Sequence, residues 1–98
     1  MNIVKNRQGN TLEVSLEGRL DTASAPEFTA LVKNELDGVE LFILDLAKLK
    51  YSSSAGLRSI LIAQKTMNQQ GKMILRNVGE DVMDVFDMTG LSGLLTIE

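Results

Sequence analysis

Apolar and polar positions alternate most cleanly from Thr11 to Glu17: Leu12, Val14 and Leu16 are apolar, while Glu13, Ser15 and Glu17 are polar. That two-residue period marks a strand with one buried face. Asn2–Arg7 precedes it across Gln8-Gly9-Asn10, and Gly9-Asn10 supplies the positive-φ residues of a tight turn, so the chain is expected to open with an antiparallel hairpin. Gly18-Arg19-Leu20-Asp21-Thr22 is expected to leave the sheet. Ser24-Ala25-Pro26-Glu27 fits a capping box with proline in the first turn, where its missing N–H costs nothing. Phe28, Leu31, Val32, Glu35 and Leu36 then recur at helical spacing, and Gly38 stops the helix. Leu41–Leu46 is a nearly unbroken apolar run, as suits a central strand. Leu57, Ile60, Leu61, Gln64, Met67 and Asn68 share one arc of a second helix that ends at Gly71, and Lys72–Arg76 reads as another strand. Strand, helix and strand of these lengths form a βαβ unit with parallel strands. Val82, Val85 and Phe86 define a third helix over Gly79–Met88, with Glu80 and Asp81 in its first turn and Gly90 as its cap. Leu94–Ile97 either adds an edge strand or packs as coil. The fold class is therefore α/β: a mixed sheet of four or five strands, an N-terminal antiparallel hairpin, a parallel βαβ unit and three helices.

Ninety-eight residues suit one domain, residues 1–98. Hydrophobic residues make up 44% and charged residues 23%, an ordinary globular balance. The net charge of −3, with no basic run, disfavours a nucleic-acid partner. The absence of cysteine removes disulfides and thiol chemistry, and the absence of histidine removes the usual general base and the commonest neutral metal ligand. Asp21, Asp45, Glu80, Asp81, Asp84 and Asp87 are too scattered for a metal site, and no phosphate-loop motif is present, so neither metal nor cofactor is expected. Met1 leads into a charged, alternating segment and no apolar run approaches the roughly 20 residues of a membrane span, so the expectation is a cytoplasmic protein without direct membrane binding.

Chemistry concentrates in LKYSSSAGLRSIL, Leu49–Leu61, where three serines stand between the strand Leu41–Leu46 and the second helix. A serine nucleophile needs a base within hydrogen-bond reach. No histidine exists to serve, and Lys48 and Lys50 are expected on an exposed loop. Gly90-Leu91-Ser92-Gly93-Leu94 lacks the final glycine of a nucleophile elbow. A non-enzymatic role follows. Two readings of the serines remain open. One serine caps the helix, since a cap oxygen accepts an orphan N–H of the first turn. Alternatively the cluster is a switch: a helix N-terminus welcomes phosphate, and a phosphoserine adds about −1.5 to −2 charges.

Tyr51-Ser52-Ser53-Ser54-Ala55-Gly56-Leu57-Arg58 resembles the signature of the STAS family, the anti-sigma-factor antagonists of bacteria, and Leu16-Glu17-Gly18-Arg19-Leu20-Asp21-Thr22-Ala23 resembles that family's Gly-x-Leu-Asp landmark. The order of elements agrees along essentially the whole chain. The resemblance implies a binding module that captures an anti-sigma-factor serine kinase, frees a sigma factor, is phosphorylated from ATP on one serine, and is reset by a phosphoserine phosphatase. It implies Ser54 as acceptor, with Ser53 as the alternative. It implies a docking surface of Asp21, Thr22, Ser53, Ser54, Ala55, Gly56 and Arg58. Ser53 stands where the family commonly has Asp, and Ala55 where it commonly has Ser or Thr. Ile62, on the helical wheel near Arg58, Lys65 and Thr66, extends that surface as an apolar centre. Monomer or weak dimer is expected. The alternative is an accessory subunit of a membrane transport complex, which needs no phosphorylation, or a multimeric sensor assembly.

Overall fold

The computed structural model describes residues 1–98. In chain order it contains β1 (Asn2–Gln8), β2 (Thr11–Leu20), α1 (Ala25–Glu35), β3 (Leu41–Asp45), β4 (Leu49–Ser52), α2 (Ser54–Asn68), β5 (Lys72–Arg76) and α3 (Glu80–Thr89), followed by a 3₁₀ turn at Leu91–Gly93. The strands form one mixed sheet in the order β1-β2-β3-β5, with β4 pairing β2 off that path. β1 and β2 are antiparallel, and the other pairs are parallel. Of the two turn residues only Gly9 has a positive φ, +61°; Asn10 does not, which corrects the turn expected from the sequence.

β2 is the trunk of the sheet, and its course corrects the expectation that the chain leaves the sheet at Gly18. Residues Thr11–Ser15 pair with Leu41–Asp45 of β3. Beyond the end of β3 the strand continues, and Gly18, Arg19 and Leu20 pair with Leu49, Tyr51 and Ser52 of β4. The register shifts between Gly18 and Arg19. Gly18 adopts φ +102°, a conformation few residues other than glycine tolerate, and its N–H donates to the Lys48 carbonyl at 2.9 Å. Lys50 therefore lies in a strand, not a loop. One long strand thus carries two partners in succession, and its end is drawn beside the serines.

The alternating residues Leu12, Val14 and Leu16 meet Phe42, Leu44, Met73 and Leu75 on one face of the sheet. Phe28, Leu31 and Val32 of α1, Leu57, Ile60, Ala63 and Met67 of α2, and Val82 and Phe86 of α3 close this core. Gln70 ties α2's end to the loop after α1: its Nε2 donates to the carbonyls of Leu36 and Val39. The C-terminal segment joins β5 through a single parallel bridge, Leu75 to Ile97. It is neither a full strand nor free coil, because only the Leu75 N–H to Thr96 and Glu98 N–H to Leu75 bonds form.

Candidate functional site

Two chain segments meet at the C-terminal ends of β2 and β4. The Ser53 N–H donates to the Leu20 carbonyl at 2.9 Å, which sets the start of α2 beside Asp21. The three serines do three different things. Ser52 is buried opposite Leu20, and its hydroxyl donates to the Ser53 carbonyl at 3.2 Å. Ser53 has extended backbone, φ −83° and ψ 176°, and its Oγ accepts the Gly56 N–H at 3.3 Å, making it the N-cap of α2. Ser54 is the first residue of the helix, is exposed, and its hydroxyl engages no partner.

Gly56 makes this corner possible. A Cβ built on it falls 2.6 Å from the Leu20 carbonyl oxygen, 2.6 Å from Ser52 Oγ and 2.8 Å from Leu20 Cγ. Only glycine lets the first turn of α2 press so closely on the end of β2. Leu57, buried in the core, then anchors the helix.

Asp21 is held from the other side. Its Oδ1 accepts the Ala23 and Ser24 N–H groups, each at 3.1 Å. Ser24 Oγ donates to the Arg19 carbonyl at 2.7 Å and accepts the Asp21 N–H at 2.9 Å. These bonds replace the expected capping box: Ser24 sits at the helix boundary but its side chain caps nothing in α1, because its hydroxyl is spent closing the turn behind it. The Ser24 N–H, above all, holds the Asp21 carboxyl below its usual value; the Ser24 hydroxyl, whose one proton is shared between the Arg19 carbonyl and Oδ1 at 3.1 Å, the Ala23 N–H and Arg19 act in the same direction, opposed by partial desolvation. Oδ2 faces only Arg19 Nε, 3.8 Å away.

Arg19 and Tyr51 form a feature the sequence did not single out. They pair across β2 and β4, and the guanidinium lies 4.2 Å from the ring centroid, in cation–π range. Finding them required knowing that Leu49–Ser52 is a strand, for which four residues with two adjacent exposed positions give little signal. Thr22 is exposed beside Asp21 and shares an open cleft with Pro26, Thr29 and Lys33 of α1 and with Ala55. Asp21, Thr22, Ser53, Ser54, Ala55 and Gly56 therefore share one corner. Arg58 and Ile62 lie further along α2, both exposed, with Ile62 at 38%. No group of three or more acidic side chains is placed to hold a metal ion. No helix is long and apolar enough to cross a membrane.

The family model described as the STAS domain matches residues 2–98. BtrV of Bordetella bronchiseptica is 30% identical over 99 residues, spanning 99% of this chain and 85% of that protein. The anti-sigma-B factor antagonist of Staphylococcus epidermidis is also 30% identical over 99 residues, spanning 99% of this chain and 92% of its own. Among solved structures, the anti-sigma factor antagonist SpoIIAA in its unphosphorylated form superposes with a TM-score of 0.78 at 18% identity, covering 99% of this chain and 87% of that one. SpoIIAA of Bacillus in its phosphorylated form gives the same TM-score at 20% identity, covering 99% and 91%. The fold, the serine corner and a match running from residue 2 to residue 98 agree: the chain belongs to the STAS-domain family.

Proposed function

We propose that this chain is an anti-sigma factor antagonist switched by phosphorylation on Ser54. Unmodified, it binds an anti-sigma-factor serine kinase through Asp21, Thr22, Ser53–Gly56, Arg58 and Ile62, and so frees a sigma factor for transcription. The observation that carries this reading is the division among the serines: Ser52 is buried and Ser53 is committed to the cap, so Ser54 alone offers an exposed, unengaged hydroxyl. Relatives named as anti-sigma factor antagonists support it.

The Ser54 oxygen attacks the γ-phosphorus of ATP held by the kinase. The bond to ADP breaks, and the hydroxyl proton passes to a base on the kinase, because this chain has no histidine to take it. The product carries about −1.5 to −2 charges beside the Asp21 carboxylate. A kinase surface shaped for Asp21 and a neutral hydroxyl then meets excess negative charge and lost hydrogen bonds, and like charge across an interface costs several kcal/mol. A phosphoserine phosphatase hydrolyses the ester and restores binding. With ATP as the phosphoryl donor, the setting is cytoplasmic.

Titration calorimetry against the kinase tests this. Ser54→Ala binds and is not phosphorylated, Ser53→Ala still binds, and Ser54→Asp loses binding. Wild-type affinity in Ser54→Asp overturns the switch.

A further inference from the structure

α2 and α3 carry opposite charge, and neither spends it inside the chain. α2 contains Arg58 and Lys65 and no acid, in a chain whose net charge is −3. α3 contains Glu80, Asp81, Asp84 and Asp87 and no base. None of these six side chains takes part in an ion pair, while Lys5, Arg19, Lys48 and Arg76 all do.

The arrangement on α3 works against the helix. Asp81, Asp84 and Asp87 repeat at intervals of three, so like charges are neighbours on one face. Asp87 lies in the last turn, at the negative end of the dipole, with no base there to balance it. Beside them Met88 is 86% exposed, the most exposed large apolar side chain in the protein. On α2 the exposed apolar residue is Ile62, between Arg58 and Lys65.

We infer that the α2 face of one molecule docks on the α3 face of a second copy, with Ile62 and Met88 in the middle and Arg58 and Lys65 against the aspartates. The spacings agree: at 1.5 Å per residue Arg58 and Lys65 are about 10.5 Å apart, and Asp81 and Asp87 about 9 Å. The acids that burden α3 alone become its means of recognition. A contact of this size is well below a standard interface, so the association is weak and salt-sensitive. It joins unlike faces, so each molecule keeps one further face for the next, or two molecules close reciprocally. The contact does not rest on the kinase reading.

Sedimentation equilibrium at about 1 mM and low salt is expected to give an apparent mass above the 10.7 kDa monomer, returning to it in about 0.5 M salt. Arg58→Glu with Lys65→Glu, and separately Asp84→Lys with Asp87→Lys, each sediment as monomers, and an equimolar mixture of the two double variants associates again. Arg7→Glu with Lys72→Glu, exposed positions on β1 and β5, changes net charge as the first pair does but lies outside both faces, and keeps the association. A monomeric wild type at low salt overturns the proposal, as does a mixture that stays monomeric or an Arg7/Lys72 control that dissociates equally. The Asp84/Asp87 variant leaves the serine corner intact, so its kinase binding fails only with the kinase reading.

Discussion

Gly56→Ala tests whether the first turn of α2 is pressed on β2 as tightly as described. In an open helix this change stabilises by about 1 kcal/mol, since alanine is the better helix former. Here the new methyl falls 2.6 Å from the Leu20 carbonyl oxygen, and ordinary contact begins near 3.4 Å, so something must yield by about 0.8 Å, the difference of the two. The oxygen has nowhere to go: it accepts the Ser53 N–H at 2.9 Å, and Leu20 is held in register with Ser52. The obstacle is backbone, so the overpacking cost belongs at the upper end of the usual range, about 3 kcal/mol. Less the propensity gain, the expected loss is about 2 kcal/mol, or a Tm lowered by roughly 8–16 °C for a domain of this size. Gly93→Ala, where an added Cβ meets nothing within 4 Å, serves as control and stays near wild type. Thermal and guanidinium denaturation measure both. A Gly56→Ala protein as stable as wild type refutes the close approach, and with it the account of how Ser54 is presented.

Asp21→Asn separates charge from shape at the same corner. The folded carboxyl titrates below its ordinary value, so its contribution to stability is present above pH 4 and is lost as the pH falls through the depressed value. The Tm gap between wild type and Asp21→Asn is expected to be constant near neutrality and to close in acid; a gap unchanged down to about pH 2 contradicts the bonding described. Gln70→Ala removes the donor to the Leu36 and Val39 carbonyls and is expected to cost about 2 kcal/mol in denaturant titration, with Ser54 exposure and partner binding unchanged.

Elements with a strong period were legible in the sequence. The alternation through Leu16 gave the first half of β2, and the arc of Leu57, Ile60, Leu61, Gln64, Met67 and Asn68 gave α2, although only four of the six are buried: Leu61 is half-buried and Asn68 is exposed. What escaped was set by partners far along the chain. Gly18-Arg19-Leu20 has no periodic signal of its own and stays in the sheet because β4 is there to pair with it. β4 is four residues long, with Lys50 and Tyr51 both exposed, so no face can be read from it. Ser24 looks like a cap by spacing, but its hydroxyl is claimed by the Arg19 carbonyl five residues back, a bond that exists only because Asp21 turns the chain. The serine cluster was legible as a hydroxyl-rich junction between strand and helix. Its internal assignment was not, because Ser52, Ser53 and Ser54 differ only in where the strand ends and the helix begins.

Under the proposed switch, that boundary is the reason a phosphate on Ser54 is expected to disturb binding more than folding. Ser52 and Ser53 hold the corner together, one buried and one closing the N-cap, and modifying either removes a bond the fold uses. Ser54 contributes no bond, so its hydroxyl is free to change without cost to the core. A phosphate there sits at the positive end of the α2 dipole, where anions are stabilised by about 0.3–1 kcal/mol at exposed sites. Built-in opposition comes from Asp21, whose Oδ1 is already occupied by two N–H groups and whose charge is partly offset by Arg19. Within the chain these effects have opposite sign, so they offset each other and stability is expected to change little. Across an interface there is no such balance, because a partner that reads Asp21 with its own cation must bring the rest of its surface against the new charge. The residue proposed to carry the mark is therefore the one serine of the three on which the fold does not depend.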